Sequence, residues 1–207
     1  MRFIRLVAIY WLLMIAMIGG AVLYGRSHAQ PTKLQTLGFG VCGGSPCWHN
    51  VVPGVSQWDE IKTVMTGYGL TTDTVAFLST EVSNSVISTY LGEGNRVEVV
   101  TMELLNRQDK QAIPLSAVIA LFGKPCRVIE RDATGEYEFQ FPSWVIAYSA
   151  IDDSRLSLDS RVHTLILMNQ KQPVNPYSTI CDRGSYAGTQ WWGFASLDYY
   201  QSKGSSE

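Results

Sequence analysis

Hydrophobic and polar positions divide this chain into three regimes. Leu6 to Tyr24 runs nineteen residues without a charge, behind Arg2 and Arg5. A helix over that run would be about 28 Å long at 1.5 Å rise per residue, close to the ~30 Å hydrocarbon thickness of a bilayer. The run predicts a single transmembrane helix through residues 6–24. Gln30 to Gly44 contains Pro31, Gly38, Gly40, Gly43 and Gly44 and shows neither a helical nor a strand period, which predicts a tether over 30–46. From Cys47 onward, periods of 3.6 and 2 alternate and predict an exported α+β domain over 47–207.

Within that domain, Ser56-Gln57-Trp58-Asp59 has the S-x-x-D form of a helix start. A helix is expected from Gln57 to about Thr66. Val55, Trp58, Ile61, Val64 and Met65 form its apolar face, with Trp58 in the core and Gly67 as the stop. Runs rich in Val, Ile, Thr and Tyr at Thr74–Ser79, Ser85–Leu91 and Arg96–Leu105 read as strands, the last two joined over Gly92-Glu93-Gly94-Asn95. The order then begins again. A short helix from Ile113-Pro114-Leu115-Ser116 to Phe122 stops at Gly123 and Pro125. Strands are expected at Cys126–Arg131, Glu136–Phe141, Trp144–Ala150 and Arg161–Asn169. In Glu136–Phe141, Tyr137, Phe139 and Phe141 alternate with Glu136, Glu138 and Gln140, predicting one buried and one wet face. The expected fold class is therefore α+β: an N-terminal transmembrane helix, then two related halves, about 51–106 and 112–170, each a short helix with an antiparallel β-meander.

Charge adds location and excludes one partner class. Arg2, Arg5 and the N-terminal amine lie before the apolar run and Arg26 after it, a bias that puts the C-terminal body outside the cytoplasm. Residues 1–29 are expected as an uncleaved membrane anchor of a single-pass protein. Ser27-His28-Ala29 has the small-x-small pattern of a signal-peptidase site, so secretion after cleavage following Ala29 is the alternative. Arg2, Arg5 and Arg26 account for three of 16 basic residues, which leaves 13 against 18 acidic ones in the body. A body of net charge −5 offers no basic patch for phosphates, and nucleic acid is not expected as a partner. Cys42, Cys47, Cys126 and Cys181 all fall in the exported part and read as up to two disulfides, with three possible pairings. Gly-Gly-Ser-Pro between Cys42 and Cys47 is a turn that brings them within disulfide reach, which leaves Cys126 for Cys181.

Pro53-Gly54-Val55-Ser56-Gln57-Trp58-Asp59-Glu60-Ile61 and Leu121-Phe122-Gly123-Lys124-Pro125 resemble the helix start and helix end of two families: the small outer-membrane-assembly lipoproteins and the β-lactamase-inhibitor-protein-like modules. The resemblance runs from about Pro53 to Asn169. It implies an α+β module that is tandemly repeated in the inhibitor proteins and binds other proteins. Neither a lipobox nor a disulfide loop within each repeat accompanies it.

Enzymatic readings are fewer. Cys42-Gly43-Gly44-Ser45-Pro46-Cys47-Trp48 resembles the C-G-[SA]-C-[WY] signature of papain-like proteases, with His163 and Asn175 downstream. Pro46 breaks the spacing before Cys47, so a hydrolase using Cys47 and His163 stands as the alternative to a non-enzymatic binding module. Cys42, Cys47 and His49 lack a fourth ligand for a closed zinc site, Asp152-Asp153 reads as a loop acid pair, and no cofactor motif occurs. The segment from Pro173 to Tyr200 is rich in aromatic residues. Trp191 and Trp192 are adjacent and cannot face the same core in an extended chain. With Tyr199 they are the candidate binding residues of a module that binds another envelope protein.

Overall fold

The computed structural model describes residues 7, 10–20, 31–105, 113–131, 136–150, 157–169, 181 and 189–190. The chain divides into two compact units, Met1–Thr32 and Lys33–Glu207. In the first, residues 10–20 form helix α1 with exposed side chains. Among the described residues no helix is long and apolar enough to cross a membrane. This overturns the expected spanning helix over 6–24 and the single-pass localisation built on it. The cleavage site after Ala29 lies outside the described residues.

The second unit is mostly antiparallel β-sheet with few, short helices, which corrects the α+β expectation. Helix α2 (Lys33–Thr36) leads into the hairpin β1 (Phe39–Cys42) and β2 (Ser45–Trp48). Helix α3 (Trp58–Tyr68) precedes β3 (Leu70–Asp73), β4 (Phe77–Val82), β5 (Ser85–Leu91) and, after a 3₁₀ turn at Glu93–Asn95, β6 (Val97–Leu104). The two-residue β7 (Ile113–Pro114) opens α4 (Leu115–Phe122), followed by β8 (Arg127–Glu130), β9 (Glu136–Phe141), β10 (Val145–Ala150) and β11 (Arg161–Met168). Strand β12 (Thr189–Gln190) completes the described elements. Strand order in the large sheet is β12-β8-β9-β10-β11-β6-β5-β4-β3, with β7 on β11. Two successive helix-plus-four-strand runs thus meet where their last strands, β11 and β6, pair antiparallel from Thr164↔Glu103 to Met168↔Val99.

One face of this sheet carries the core. Trp58, Ile61 and Met65 recur at three and four residues along α3, and Leu115, Val118 and Phe122 along α4, so each helix buries one stripe. They pack in one cluster with Leu78, Ile87, Val100, Met102, Phe139, Ala147, Leu165 and Leu167, the residues of period 2 on the helix side of their strands. Ile146 and Met168 are also buried, at 1% and 4% exposure, but stand outside that cluster because the strand alternation turns them to the opposite face.

Residues 31–46 of the expected tether are folded against the body. Leu34, Leu37 and Phe39 are at most 4% exposed and belong to the main core cluster. Ser56 differs as well. The residue flanking α3 is Gln57, without a side-chain cap, and the Ser56 hydroxyl accepts the Val52 N–H at 3.2 Å. The hydroxyl thereby fastens the Val52-Pro53-Gly54 loop, whose Gly54 N–H donates to the Val97 carbonyl at 2.7 Å.

Candidate functional site

Residues opposite one another in an antiparallel pair share a face, so the register assigns the side of the sheet away from the helices row by row. Phe77, Tyr90, Val99 and Met168 form an apolar row across β4, β5, β6 and β11. The Phe77 and Tyr90 rings lie 5.0 Å apart at 52°, and Tyr90 remains 49% exposed. The next row is Ser79, Ser88, Thr101 and Ile166, and the third is Glu81, Val86, Glu103 and Thr164. Glu81 and Glu103 are exposed, and neither belongs to an ion pair among the described residues. No described helix contributes to the core cluster from this side. The first half of the sheet therefore presents a face graded from aromatic through hydroxyl to acidic.

The same rows continue into the second half as a closed polar network. Thr164 is opposite Tyr148, and Tyr148 opposite Glu138. Glu138 and Gln140 are 0% and 4% exposed, so the side of β9 expected to be wet is covered. Two partners make that burial tolerable: Arg131 donates to Glu138 Oε2, and the Gln140 amide donates to Oε1 at 2.7 Å. The Arg131 guanidinium also lies 5.7 Å from the centre of the Tyr148 ring. A bulge between Tyr148 and Ser149 skips His163 in the β10–β11 register and sets it beside Glu136. Its Nε2 stands 2.9 Å from the carboxylate and its Nδ1 2.9 Å from the Thr164 hydroxyl. Glu138 accepts from two donors and His163 lies at ion-pair distance from Glu136, and we read this half as a structural brace.

A third cluster lies at the β1–β2 hairpin. Cys42 is joined to Cys47, and its turn is made by Gly43 and Gly44 at φ 59° and 86°. The Trp48 indole donates to the Leu37 carbonyl at 2.8 Å, and His49 Nε2 is 2.7 Å from the Tyr68 hydroxyl. Gly38 is required at its position because a Cβ there would fall 2.1 Å from the His49 ring. Desolvation holds the His49 imidazole below its ordinary pKa of 6.5. The unfolded chain then takes up this proton first as pH falls, so the contribution is full above about pH 6.5 and declines below it. His49→Gln is expected to flatten the loss of stability between pH 7.5 and 5.5, measured as urea midpoints; a slope equal to that of the parent chain would show that His49 does not carry it.

The sequence-derived residues are placed as follows. Disulfides join Cys42 to Cys47 and Cys126 to Cys181, with Cα separations of 5.8 and 5.5 Å, and no described cysteine is free. In this state Cys47 carries no thiolate, and His163 partners Glu136 and Thr164. Trp191, Trp192, Tyr199 and Asn175 lie outside the described residues. Among the described residues no group of three or more His, Cys, Asp or Glu side chains is placed to hold a metal ion. The graded face was missed although its signal was present: Phe77-Ser79-Glu81, Val86-Ser88-Tyr90 and Val99-Thr101-Glu103 each alternate at period 2. Only the register shows that these triplets align.

No protein-family model matches the chain, and no curated protein matches it. A solved structure with some likeness is a DUF4309 family protein (YjgB) from Bacillus subtilis, at a TM-score of 0.39 and 7% identity, covering 59% of this chain and 84% of that one. Neither the inhibitor-protein nor the outer-membrane-lipoprotein resemblance gains support from these comparisons.

Proposed function

We propose that the chain is a protein-binding or scaffold module that works in an oxidising compartment through the graded face of β4, β5, β6 and β11. The observation that carries this reading is the sheet's asymmetry. One side carries the core with α3 and α4, while the other leaves Tyr90, in contact with the half-buried Phe77, and two carboxylates without an ion-pair partner among the described residues exposed. A large exposed aromatic flanked by polar groups is the composition of an interface anchor. Two disulfides favour an extracytoplasmic setting.

A photo-crosslinking residue at Tyr90 tests it against the same residue at Thr63, which is exposed on the helix side. A discrete adduct from position 90 and none from 63, in cells that make the full chain, is the expected result. Equal adducts from both positions, or adducts from 63 alone, would move the working surface elsewhere.

A further inference from the structure

We infer that the partner at this face is a positively charged protein segment: an apolar side chain followed, about four extended residues on, by Lys or Arg. This deepens the binding reading above and rests on it. Three observations carry the chemistry. First, the apolar row Phe77-Tyr90-Val99-Met168 and the acidic row with Glu81 and Glu103 are four residues apart along each strand. At about 3.4 Å per residue this is ~14 Å, the reach of four residues of extended chain. Second, Glu81 and Glu103 stand two strands apart, about 10 Å at ~4.8 Å per strand, with Val86 between them. Two carboxylates at that distance, each without an ion-pair partner among the described residues, attract a cation and repel an acidic chain. Net charge −5 over residues 33–207 has the same sign and steers the same class of partner.

Third, the apolar row ends in a socket. Met168, opposite Val99, also lines a crevice of about 110 Å³ together with Pro46, Val52, Pro53, Val55 and Gly54. The walls are mostly apolar and the volume suits one aliphatic side chain, since a dry cavity of about 150 Å³ accepts a benzene ring. Its shape depends on Gly54, at φ +79°, where a Cβ would lie 2.0 Å from Asn169 Oδ1. The disulfide hairpin supplies Ser45 and Pro46 to the same wall, which gives the clip a part in holding the socket open.

The probe is a random 12-residue peptide library displayed on phage and selected against the full oxidised chain, followed by synthesis of the enriched peptides. Enrichment of Lys or Arg three to five positions from Leu, Met, Phe or Trp is expected. Affinity should fall at least tenfold with Tyr90→Ala, and at least tenfold with the pair Glu81→Lys and Glu103→Lys, each variant keeping the parent's circular dichroism. Raising salt from 50 to 300 mM should weaken binding to the parent, and should not weaken the residual binding to the charge-reversed pair, where screening relieves repulsion. If Tyr90→Ala weakens binding but the charge reversal does not, or if acidic or uncharged peptides are enriched, the basic partner is wrong and the binding face stands. If the enriched peptides bind all these variants equally, the face itself is wrong and both readings fall.

Discussion

Arg131→Ala is expected to cost about 3 kcal/mol of folding stability, and Glu138→Gln clearly less, although the two residues form one ion pair. The asymmetry follows from where each charge sits. Glu138 is fully buried, whereas the Arg131 side chain is 39% exposed. Losing the carboxylate leaves a guanidinium that water can still solvate and that keeps its contact with the Tyr148 ring. Losing the guanidinium leaves a carboxylate at 0% exposure with the Gln140 amide as its remaining partner. Breaking a buried pair by removing one member costs ~3 to 5 kcal/mol when the other charge stays uncompensated. The lower end applies because Arg131 is partly in water. Adding Glu138→Gln to Arg131→Ala should recover stability, an inversion that separates a buried charge from lost packing. Urea unfolding of the four chains decides the point: equal costs for both single variants, with no recovery in the double, would mean that solvent reaches Glu138.

This network marks where sequence reasoning ran out. The alternation of Tyr137, Phe139 and Phe141 with Glu136, Glu138 and Gln140 fixed the period of β9 correctly, but period 2 says nothing about what lies over the polar side. Strands β5 and β9 and helix α4 were legible to within a residue, because β-branched runs, Pro114 and Gly123 punctuate them. Strand β3 was not, since Leu70-Thr71-Thr72-Asp73 is an exposed, irregular edge with a single apolar residue. The stretch 30–46 failed for a physical reason. Its glycines make turns and close approaches within a folded hairpin, at Gly38 against His49 and at Gly43-Gly44, and Leu34, Leu37 and Phe39 are too few to show a period although all three are buried. Two disulfides were legible from four cysteines in one segment. The proposed binding face was not, because it exists only in the alignment of β4, β5, β6 and β11, and inter-strand register is a long-range property that no local pattern encodes.

Removing the Cys126–Cys181 disulfide with paired serines is expected to destabilise the body about twice as much as removing Cys42–Cys47. In the chain-entropy account, a cross-link restrains the unfolded chain according to the loop it closes. A separation of 55 residues gives about 4 kcal/mol, against roughly 2 kcal/mol for a separation of 5. For a body of this size the larger loss is roughly 8 to 16 °C in Tm. A structural consequence accompanies it. Cys126 immediately precedes β8, and β12 pairs with β8 through Thr189↔Val128 and Gln190↔Arg127. The disulfide holds the chain that supplies β12, and without it β8 becomes the outer strand of the large sheet. Unpaired edge strands invite association with other chains. The variant should therefore lose amide-exchange protection along β8 and associate in a concentration-dependent way, while the variant lacking the Cys42–Cys47 clip keeps both properties of the parent. If the clip variant proves the less stable of the two, the hairpin's hold on Leu37, Phe39 and Trp48 in the native core outweighs loop entropy, and the clip is the principal staple.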